Sequence, residues 1–336
     1  MRYLIDKEIA EKDPGYGSTN TAFFDESPLP HLIKEEIIKN GPMRFDQYWS
    51  MSQYSPKFGA YNKIRHFKGF YESEGASMKS TDYAIAMAQY VIENSKDENK
   101  IRVIECGAGT GDFMLRFLIA MKHMSHLSIE VYIVETSESL ILTQQYKLKC
   151  VDIKWVNDIF DIPNNDIKTF VLCEMVLDSF PHRGFIKKDD QLYELYINEK
   201  GALVEKECDE HFDISNWKDG IPVFRSMPAE QFFLKIMEHF KRCMMISVDH
   251  CLESFSSKNS QLHLVTPYEK PTNFIKNAGY FLIACSLYIP FYLEALKGVN
   301  FSFQKAKTFF YNIGDYHVYE DDPRFYVLLI KNNAMI

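Results

Sequence analysis

The segment from Val103 to Asp112, VIECGAGTGD, limits the fold more than any other part of the sequence. A short apolar strand ends in the carboxylate of Glu105, glycines follow at 107, 109 and 111, and an apolar helix pattern begins at once. Glycine adopts backbone conformations that other residues avoid, so the chain can turn sharply here and lie close to a ligand. N–H groups at the helix start face the same place. The sequence therefore predicts a strand–turn–helix unit with a ligand site at the turn.

Apolar strand runs and helix patterns alternate along the rest of the chain, which is typical of right-handed βαβ units and a parallel sheet. We predict an α/β fold with a Rossmann-like sheet of seven strands in the order 3-2-1-4-5-7-6, the last one antiparallel. The first five strands are expected at 101–105, 128–135, 151–156, 168–174 and 244–249.

The last two strands are expected at 280–288 and 324–332, with 289–323 as an insertion between them. A hairpin is expected over 191–198 and 202–207, on either side of Gly201. We divide the chain into an N-terminal extension with a helical lid, 1–95, and a core, 96–336, with insertions at about 182–228 and 289–323.

The spacing of the glycines separates two classes of cofactor. A nicotinamide or flavin site requires G-x-G-x-x-G, whose last position is occupied here by Asp112. The observed E-x-G-x-G-x-G form resembles the S-adenosylmethionine (SAM) loop of class I methyltransferases. The amino group of SAM suits a carboxylate at the strand end. A glycine-rich turn of some other α/β protein is the alternative.

The class I fold implies the positions of the other cofactor contacts. Glu135, at the end of the second strand, would accept both ribose hydroxyls, or it is a solvated acid. Asp158 would meet the adenine amino group, or it caps a turn. Ser80 and Thr81 are candidates to bind the carboxylate of the cofactor. The predicted cofactor-binding residues are Glu105, Gly107, Ala108, Gly109, Gly111, Glu135, Thr136, Asp158, Ile159, Ser80 and Thr81; no metal ligands are predicted.

The segment CEMVLDSFPH (173–182) resembles the N-E-F-F-D-A-L-P-V signature of the MidA family. These are SAM-dependent methyltransferases related to the mitochondrial complex I assembly methyltransferase. Five other blocks resemble the family in order: NGPMRF (40–45), YSPKFGAY (54–61), GASMKSTD (75–82), VETS (134–137) with Leu140 and Gln144, and the segment from Trp155 to Pro163. The resemblance covers residues 35 to 185, with ISVDH (246–250) and PRFY (323–326) beyond. The glycine turn departs from the usual G-P-G-R-G-T, and Cys173 replaces the asparagine.

The resemblance implies methylation of a protein side chain, arginine by analogy with the mitochondrial member. A guanidinium stays charged and must be oriented by carboxylates, so Glu174 and Asp178 are the candidate catalytic residues. Their alternative role is to cap the sheet edge and the next turn. His182 is a candidate proton relay or a structural residue. Five aromatic residues are expected to form a lid over SAM or a clasp for the N-terminal segment: Phe58, Tyr61, Phe67, Phe70 and Tyr71.

Two other functions stay open from the sequence. One is a SAM-binding assembly factor that docks a partner without catalysis, and the other is a small-molecule methyltransferase. Thirty-eight Lys and Arg against 46 Asp and Glu give a net charge of −8, which argues against a nucleic-acid partner. Seven cysteines without a C-x-x-C pair, and no signal peptide, predict a cytoplasmic protein. A membrane span at 278–296 is not expected, and a homodimer is considered.

Overall fold

The computed structural model describes residues 27–56, 58–62, 80–215, 217–253, 262–264, 274–277, 283–314 and 324–332. The helices are α1 (Leu29–Asn40), α2 (Phe45–Tyr54), α3 (Thr81–Glu93), α4 (Asp112–Met124), α5 (Glu138–Lys147), α6 (Met227–His239), α7 (Phe274–Asn277), α8 (Ile289–Ala295) and α9 (Ala306–Gly314). Single turns of 3₁₀ helix lie at Ala60–Asn62, Ile159–Asp161 and Leu177–Ser179.

The strands are β1 (Met43–Arg44), β2 (Lys100–Cys106), β3 (Ser128–Val134), β4 (Ile153–Val156), β5 (Lys168–Glu174), β6 (Arg183–Lys188), β7 (Gln191–Ile197), β8 (Leu203–Glu207), β9 (Pro222–Arg225), β10 (Cys243–Leu252), β11 (Leu262–Leu264), β12 (Ile283–Cys285), β13 (Leu287–Tyr288), β14 (Asn300–Lys305) and β15 (Phe325–Lys331). Most belong to two sheets, and β11 and β12 form a short antiparallel pair of their own.

The main sheet has the order β4-β3-β2-β5-β10-β15-β14. Counted from β2 as the first strand, this is the predicted order 3-2-1-4-5-7-6. The strands from β4 to β10 pair in parallel, whereas β15 is antiparallel to both β10 and β14. The prediction of a class I methyltransferase sheet is therefore confirmed, including the antiparallel strand at 325–331.

The predicted position of the sixth strand is wrong. That strand is β14, within the region 289–323 that we interpreted as an insertion, and α8 and α9 flank it. The sequence NFSFQK is half-buried at the sheet edge and carries only two aromatic residues, so its apolar signal is weak. The stronger apolar run before it supplies β13, which only extends the end of β10, and α8, whose Phe291 and Tyr292 fill the core.

A second sheet, of five strands, is built from β1, β7, β6, β9 and β8. The predicted hairpin is confirmed: β7 and β8 pair antiparallel through a turn at Gly201, whose φ is 75°. Helices α1 and α2 pack against this sheet through Leu29, Ile33 and Phe45. Pro42 precedes the two-residue strand β1, which separates α1 from α2.

The two faces of the main sheet have separate cores. On one face, α3, α4 and α9 bury residues such as Ala84, Phe117 and Phe310. On the other, α6 and α8 bury Phe233 and Phe291. Within the described part of the chain, no helix is long and apolar enough to cross a membrane. The division at residue 95 stays a prediction, although α3 packs inside the main core.

Candidate functional site

A cleft of about 610 Å³ opens at the carboxyl ends of β2, β3, β4 and β5. This volume lies within the range of about 300–1,000 Å³ that is usual for small-molecule pockets. Ligands bind at this edge of open α/β sheets, where the strand order reverses. Described residues that line it are Tyr54, Tyr61, Asn62, Cys106, Gly107, Gly109, Val134, Glu135, Thr136, Ser137, Leu140, Asn157, Asp158, Ile159, Phe160, Met175, Val176, Ser179, Phe180, Pro181 and Phe232.

The glycine turn forms the floor of the cleft between β2 and α4. Gly107, Gly109 and Gly111 have φ angles of 65°, 53° and 80°, which side chains disfavour. A Cβ at Gly107 would lie 3.2 Å from Cγ2 of Val176. Ala108 is buried, and its carbonyl accepts a hydrogen bond from the N–H of Gly111 at 2.8 Å. The predicted conformation of the turn is therefore present.

Glu105, at the end of β2, carries a buried carboxylate beneath this turn. Its Oε2 atom has no hydrogen-bond partner among the described residues. Burial, together with the nearby acids Glu174, Glu135 and Asp112, raises its pKa well above the usual range. A cation would satisfy this oxygen and relieve the repulsion between the acids, so the site fits the ammonium group of SAM.

Glu135 follows β3 at the cleft wall and makes three hydrogen bonds. Oε1 accepts from the N–H groups of Thr136 and Ser137 at 2.9 and 3.0 Å, and Oε2 accepts from Nε2 of Gln144 at 3.1 Å. Burial raises the pKa of Glu135, and the three donors oppose that effect. A carboxylate offers about four acceptor positions. One position therefore remains for a ribose hydroxyl, where the sequence suggested two.

Asp158 and Ile159 lie beside β4 at the far end of the cleft. Asp158 caps the following 3₁₀ turn, because its Oδ1 accepts from the N–H of Phe160 at 3.0 Å. The capping alternative is thus present, but Asp158 also lines the cleft. Its exposed carboxylate and the buried Ile159 can both face an adenine, which keeps their predicted roles compatible with the structure.

Ser80 and Thr81 lie at the start of α3, away from the described lining of the cleft. The hydroxyl of Ser80 accepts the N–H of Tyr83 at 3.0 Å and so caps the helix. Thr81 is buried. Their predicted contact with the carboxylate of the cofactor stays a prediction.

The two predicted catalytic acids occupy different environments after β5. Glu174 is half-buried and hydrogen-bonds the hydroxyl of Tyr83. Asp178 is almost fully buried in the turn Leu177–Ser179, and neither acid is among the described residues that line the cleft. Burial raises the pKa of Asp178 to about 7. Glu174 is thus the nearer of the two to solvent.

Asp249, on β10, is a buried acid that sequence reasoning did not include in the site. Its carboxylate accepts the N–H groups of Leu177 and Asp178 at 3.3 and 3.4 Å and the hydroxyl of Ser247 at 3.1 Å. Burial and the charge of Asp178 raise its pKa well above the usual range. Its position in the ISVDH block, beside the fourth strand, is the signal that could have pointed to it.

The N-terminal segment closes one side of the cleft through aromatic residues. Tyr54 and Tyr61 stack with ring centroids 5.1 Å apart, and both line the cleft. The Tyr54 hydroxyl and Trp49 Nε1 donate to the carbonyl of Ser179 at 2.6 and 2.9 Å. Tyr61 donates to Oγ of Ser179 at 2.7 Å. Tyr61 is therefore placed where the lid prediction needs it.

The other lid candidates have different outcomes. Phe58 packs with the core between α1, α2 and the second sheet. Phe67, Phe70 and Tyr71 lie outside the described residues. His182 is buried against Trp49, and its Nδ1 lies 2.6 Å from the carbonyl of Phe180. Burial lowers its pKa to about 4, so it is neutral at physiological pH, as expected of the structural alternative.

A family model described as "Putative S-adenosyl-L-methionine-dependent methyltransferase" matches residues 84–271, more than half of the chain. The chain belongs to this family. SAM is accordingly its cofactor, and the MidA-type resemblance is confirmed.

Individual relatives are more distant. A protein of Caenorhabditis elegans named "Protein arginine methyltransferase NDUFAF7 homolog, mitochondrial" is 23% identical over 215 residues, which cover 56% of this chain and 49% of that protein. This chain thus matches about half the length of that relative. A crystal structure of an uncharacterised protein from Burkholderia thailandensis has a TM-score of 0.76 at 17% identity, with 94% of this chain and 96% of that chain covered. A second structure from the same organism, bound to S-adenosyl-homocysteine, has a TM-score of 0.75 at the same identity and coverage. These likenesses show the fold.

Two further residues support the family's cofactor site. Gln144 is buried and joins three elements: its Nε2 donates to the carbonyl of Gly109 at 2.8 Å and to Glu135, and its Oε1 accepts from Trp155. Met175, directly after Glu174, has a φ of 53°. Such strain in a residue other than glycine is typical of functional sites. The spacing of Gln144 from Glu135 was visible in the sequence, whereas the strain at Met175 was not.

Methyl transfer from a sulfonium is an in-line displacement that requires alignment and a dry pocket more than a strong base. We expect Glu105 to bind the ammonium group and Glu135 the ribose of SAM. Tyr54, Tyr61 and Phe180 exclude water from the same cleft. When bound, SAM supplies the methyl group, and its positive charge compensates the negative charge of the surrounding carboxylates.

Proposed function

We propose that the chain transfers the methyl group of SAM to a protein, and that the acceptor is an arginine guanidinium. The C. elegans protein named as an arginine methyltransferase homolog supports this acceptor by its similarity over 215 residues. The proposal is narrower than membership in the family, and it rests mainly on the charge of the site.

The observation that carries the proposal is the group of acids at the carboxyl ends of β2 and β5. Glu105, Glu174 and Asp249 all act electrostatically on Tyr83, and each raises the pKa of its hydroxyl after the larger effect of burial. The described groups that shift the pKa values of Glu105 and of Asp178 include acids and hydroxyl groups and no cation. SAM supplies one cation, and a guanidinium supplies a second that two carboxylate oxygens can orient in bidentate fashion.

Glu174 is the acid that we assign to the guanidinium. It lies at the end of the strand where the glycine turn and the strained Met175 meet, and its bond to Tyr83 fixes the carboxylate. The raised pKa values of Glu105 and Asp178 mean that a cation in the cleft would favour their ionised forms, whereas a small neutral acceptor would not. The structure thus supports a cationic acceptor more than a neutral one.

The test is incubation of the purified protein with radiolabelled SAM and cell lysate, followed by size separation, acid hydrolysis and chromatography of the amino acids. We expect label in methylarginine. Glu174→Gln should lower the labelling at least tenfold without changing SAM binding. Glu199→Gln, an exposed acid in the β7–β8 hairpin, is the matched control. Label only in small molecules, or in an amino acid other than arginine, would contradict the proposal.

A protein acceptor also bears on the alternatives from the sequence. A docking factor without catalysis would bind SAM in a calorimeter yet transfer no label to any fraction of the lysate. The cytoplasmic location and the homodimer stay predictions, and cell fractionation and sedimentation equilibrium would test them.

A further inference from the structure

Two buried acids on neighbouring strands approach each other behind the cleft. Asp178, after β5, and Asp249, on β10, are only 1% and 2% exposed. The carboxylate of Asp249 accepts the backbone N–H of Asp178 at 3.4 Å, so the two acids are direct neighbours. Because like charges this close inside a protein do not both ionise readily, one proton shared by the pair is the favourable state.

The remaining hydrogen bonds of the pair support a shared proton. Asp249 accepts two backbone N–H groups and the Ser247 hydroxyl, whereas Oδ2 of Asp178 has no donor among the described residues. A proton on Asp249 would be the missing partner. The described groups whose pKa values the pair raises are Tyr54, Tyr61, Tyr83, Cys173, Cys251, Cys285 and Tyr292. The carboxylates of Glu105, Glu135 and Glu174 act on the same tyrosines, so the negative charge nearby also favours a proton on the pair.

A chain of hydroxyls joins the pair to the cleft. Oγ of Ser179 accepts from the hydroxyl of Tyr61 at 2.7 Å, and its single proton can be donated to Oδ1 of Asp178 or to the carbonyl of Met175, each at 3.2 Å. Both Ser179 and Tyr61 line the cleft. A proton that leaves a group in the cleft can therefore reach Asp178 by successive transfers along these hydroxyls.

We propose that Asp178 and Asp249 share one proton and take up a second, through Tyr61 and Ser179, from the nitrogen that is methylated. This inference rests on the proposed function, since it concerns the acceptor of the same site. Asp249 acts through Asp178 and is a positioning residue.

The step balances in atoms and charge. The acceptor nitrogen forms a bond to the methyl carbon as the carbon–sulfur bond of SAM breaks, and the electron pair of that bond stays on sulfur. The methylated nitrogen then gives one proton to Tyr61, whose own proton passes to Ser179 and from there to Asp178. The pair changes from one proton to two, and its charge from −1 to zero. Because the pKa of Asp178 is about 7, Asp178 can release this proton to water after each turnover.

The first experiment measures the shared proton without any acceptor. Infrared difference spectra at pH 8 are recorded for the wild type, Asp178→Asn and Asp249→Asn. We expect the wild type to show one protonated-carboxyl band, distinct from that of Glu105, that both variants lose, because this band belongs to a proton that two carboxylates share. Asp152→Asn, an exposed acid before β4, should keep the band. Absence of the band from the wild type, or its persistence in either variant, would overturn the shared proton.

The second experiment measures proton uptake during methyl transfer. Ser179→Ala removes the hydroxyl but keeps the carbonyl that Trp49 and Tyr54 bind, and Tyr61→Phe keeps the ring stacked on Tyr54. Each should lower kcat by roughly 10- to 100-fold with the Kd for SAM unchanged, below the full range for acid–base catalysis. The wild-type kcat should fall as the pH drops below about 7, and Asp249→Asn should move this inflection by roughly one pH unit.

An unchanged kcat in Ser179→Ala and Tyr61→Phe, or an unmoved inflection in Asp249→Asn, would refute the proton route. Failure of the arginine proposal would give a different result. The wild type would then transfer the label to an amino acid other than arginine, while Ser179→Ala and Tyr61→Phe would still lower kcat. If Asp178→Asn or Asp249→Asn does not fold, the kcat values of Ser179→Ala and Tyr61→Phe test the proton route. If no acceptor is found, the infrared result decides it.

Discussion

Replacement of Glu135 by glutamine tests the cofactor site with the least disturbance of the fold. Glu135→Gln keeps an oxygen for the N–H groups of Thr136 and Ser137 but loses the charge and the second oxygen. The structure leaves about one free acceptor position on this carboxylate, so one charge-assisted bond to the ribose is lost. Such a bond contributes roughly 1.5–3 kcal/mol, which weakens binding roughly 10- to 150-fold.

Glu135→Ala is expected to combine two effects and is therefore the less informative change. It loses the same ribose contact, and it also leaves the donors of Thr136, Ser137 and Gln144 unpaired. An unpaired buried donor costs about 1–3 kcal/mol of folding free energy. Urea denaturation should therefore show a clear loss of stability for the alanine variant and a smaller one for the glutamine variant.

The assay is isothermal titration of S-adenosyl-homocysteine and SAM into the wild type, Glu135→Gln and the control Glu138→Gln. Glu138 is an exposed acid in the first turn of α5, three residues from the site. The control should bind like the wild type. Equal affinity of the wild type and Glu135→Gln would refute the assignment of Glu135 to the ribose. A thermal-shift panel with NAD and ATP should show stabilisation of the wild type by the adenosyl-sulfur ligands alone.

Three other changes are predicted. Gly109→Val should abolish SAM binding, because Gly109 has a φ of 53° that a valine disfavours. The variant should still show a cooperative thermal melt, and titration with SAM measures the loss of binding. The affinity for SAM should rise with pH, because the raised pKa keeps Glu105 protonated in the free protein and Glu105 ionises opposite the ammonium group of SAM. Calorimetry in buffers of different ionisation enthalpy should detect the release of one proton on binding. Glu105→Gln should release none. The free energy of unfolding should fall as the pH rises through about 7, because the raised pKa of Asp178 means that the folded state binds a proton that the unfolded state has lost. Asp178→Asn should flatten this pH dependence in urea titrations at pH 5 to 8. A variant slope equal to that of the wild type would count against the buried acid pair.

Local sequence patterns predicted the structure correctly where all the residues of a structural element lie close together in the chain. The glycine turn, the strand before it and the helix after it lie within 25 residues, and the structure places them as expected. The same holds for the β7–β8 hairpin. The edge strand β14 was missed because a strand with one half-buried face needs few apolar residues, and the buried run before it gave a stronger signal.

The sequence by itself determined the class of fold, the cofactor and the carboxylates at the ends of β2 and β3. These follow from glycine spacing and strand–helix alternation, which depend on residues close together in the chain. Only the tertiary structure decided that Asp249 lies against Asp178, 71 residues away, and that Gln144 uses one oxygen position of Glu135. Contacts of this kind depend on the register between strands and on side-chain packing, and neither leaves a periodic pattern in the sequence.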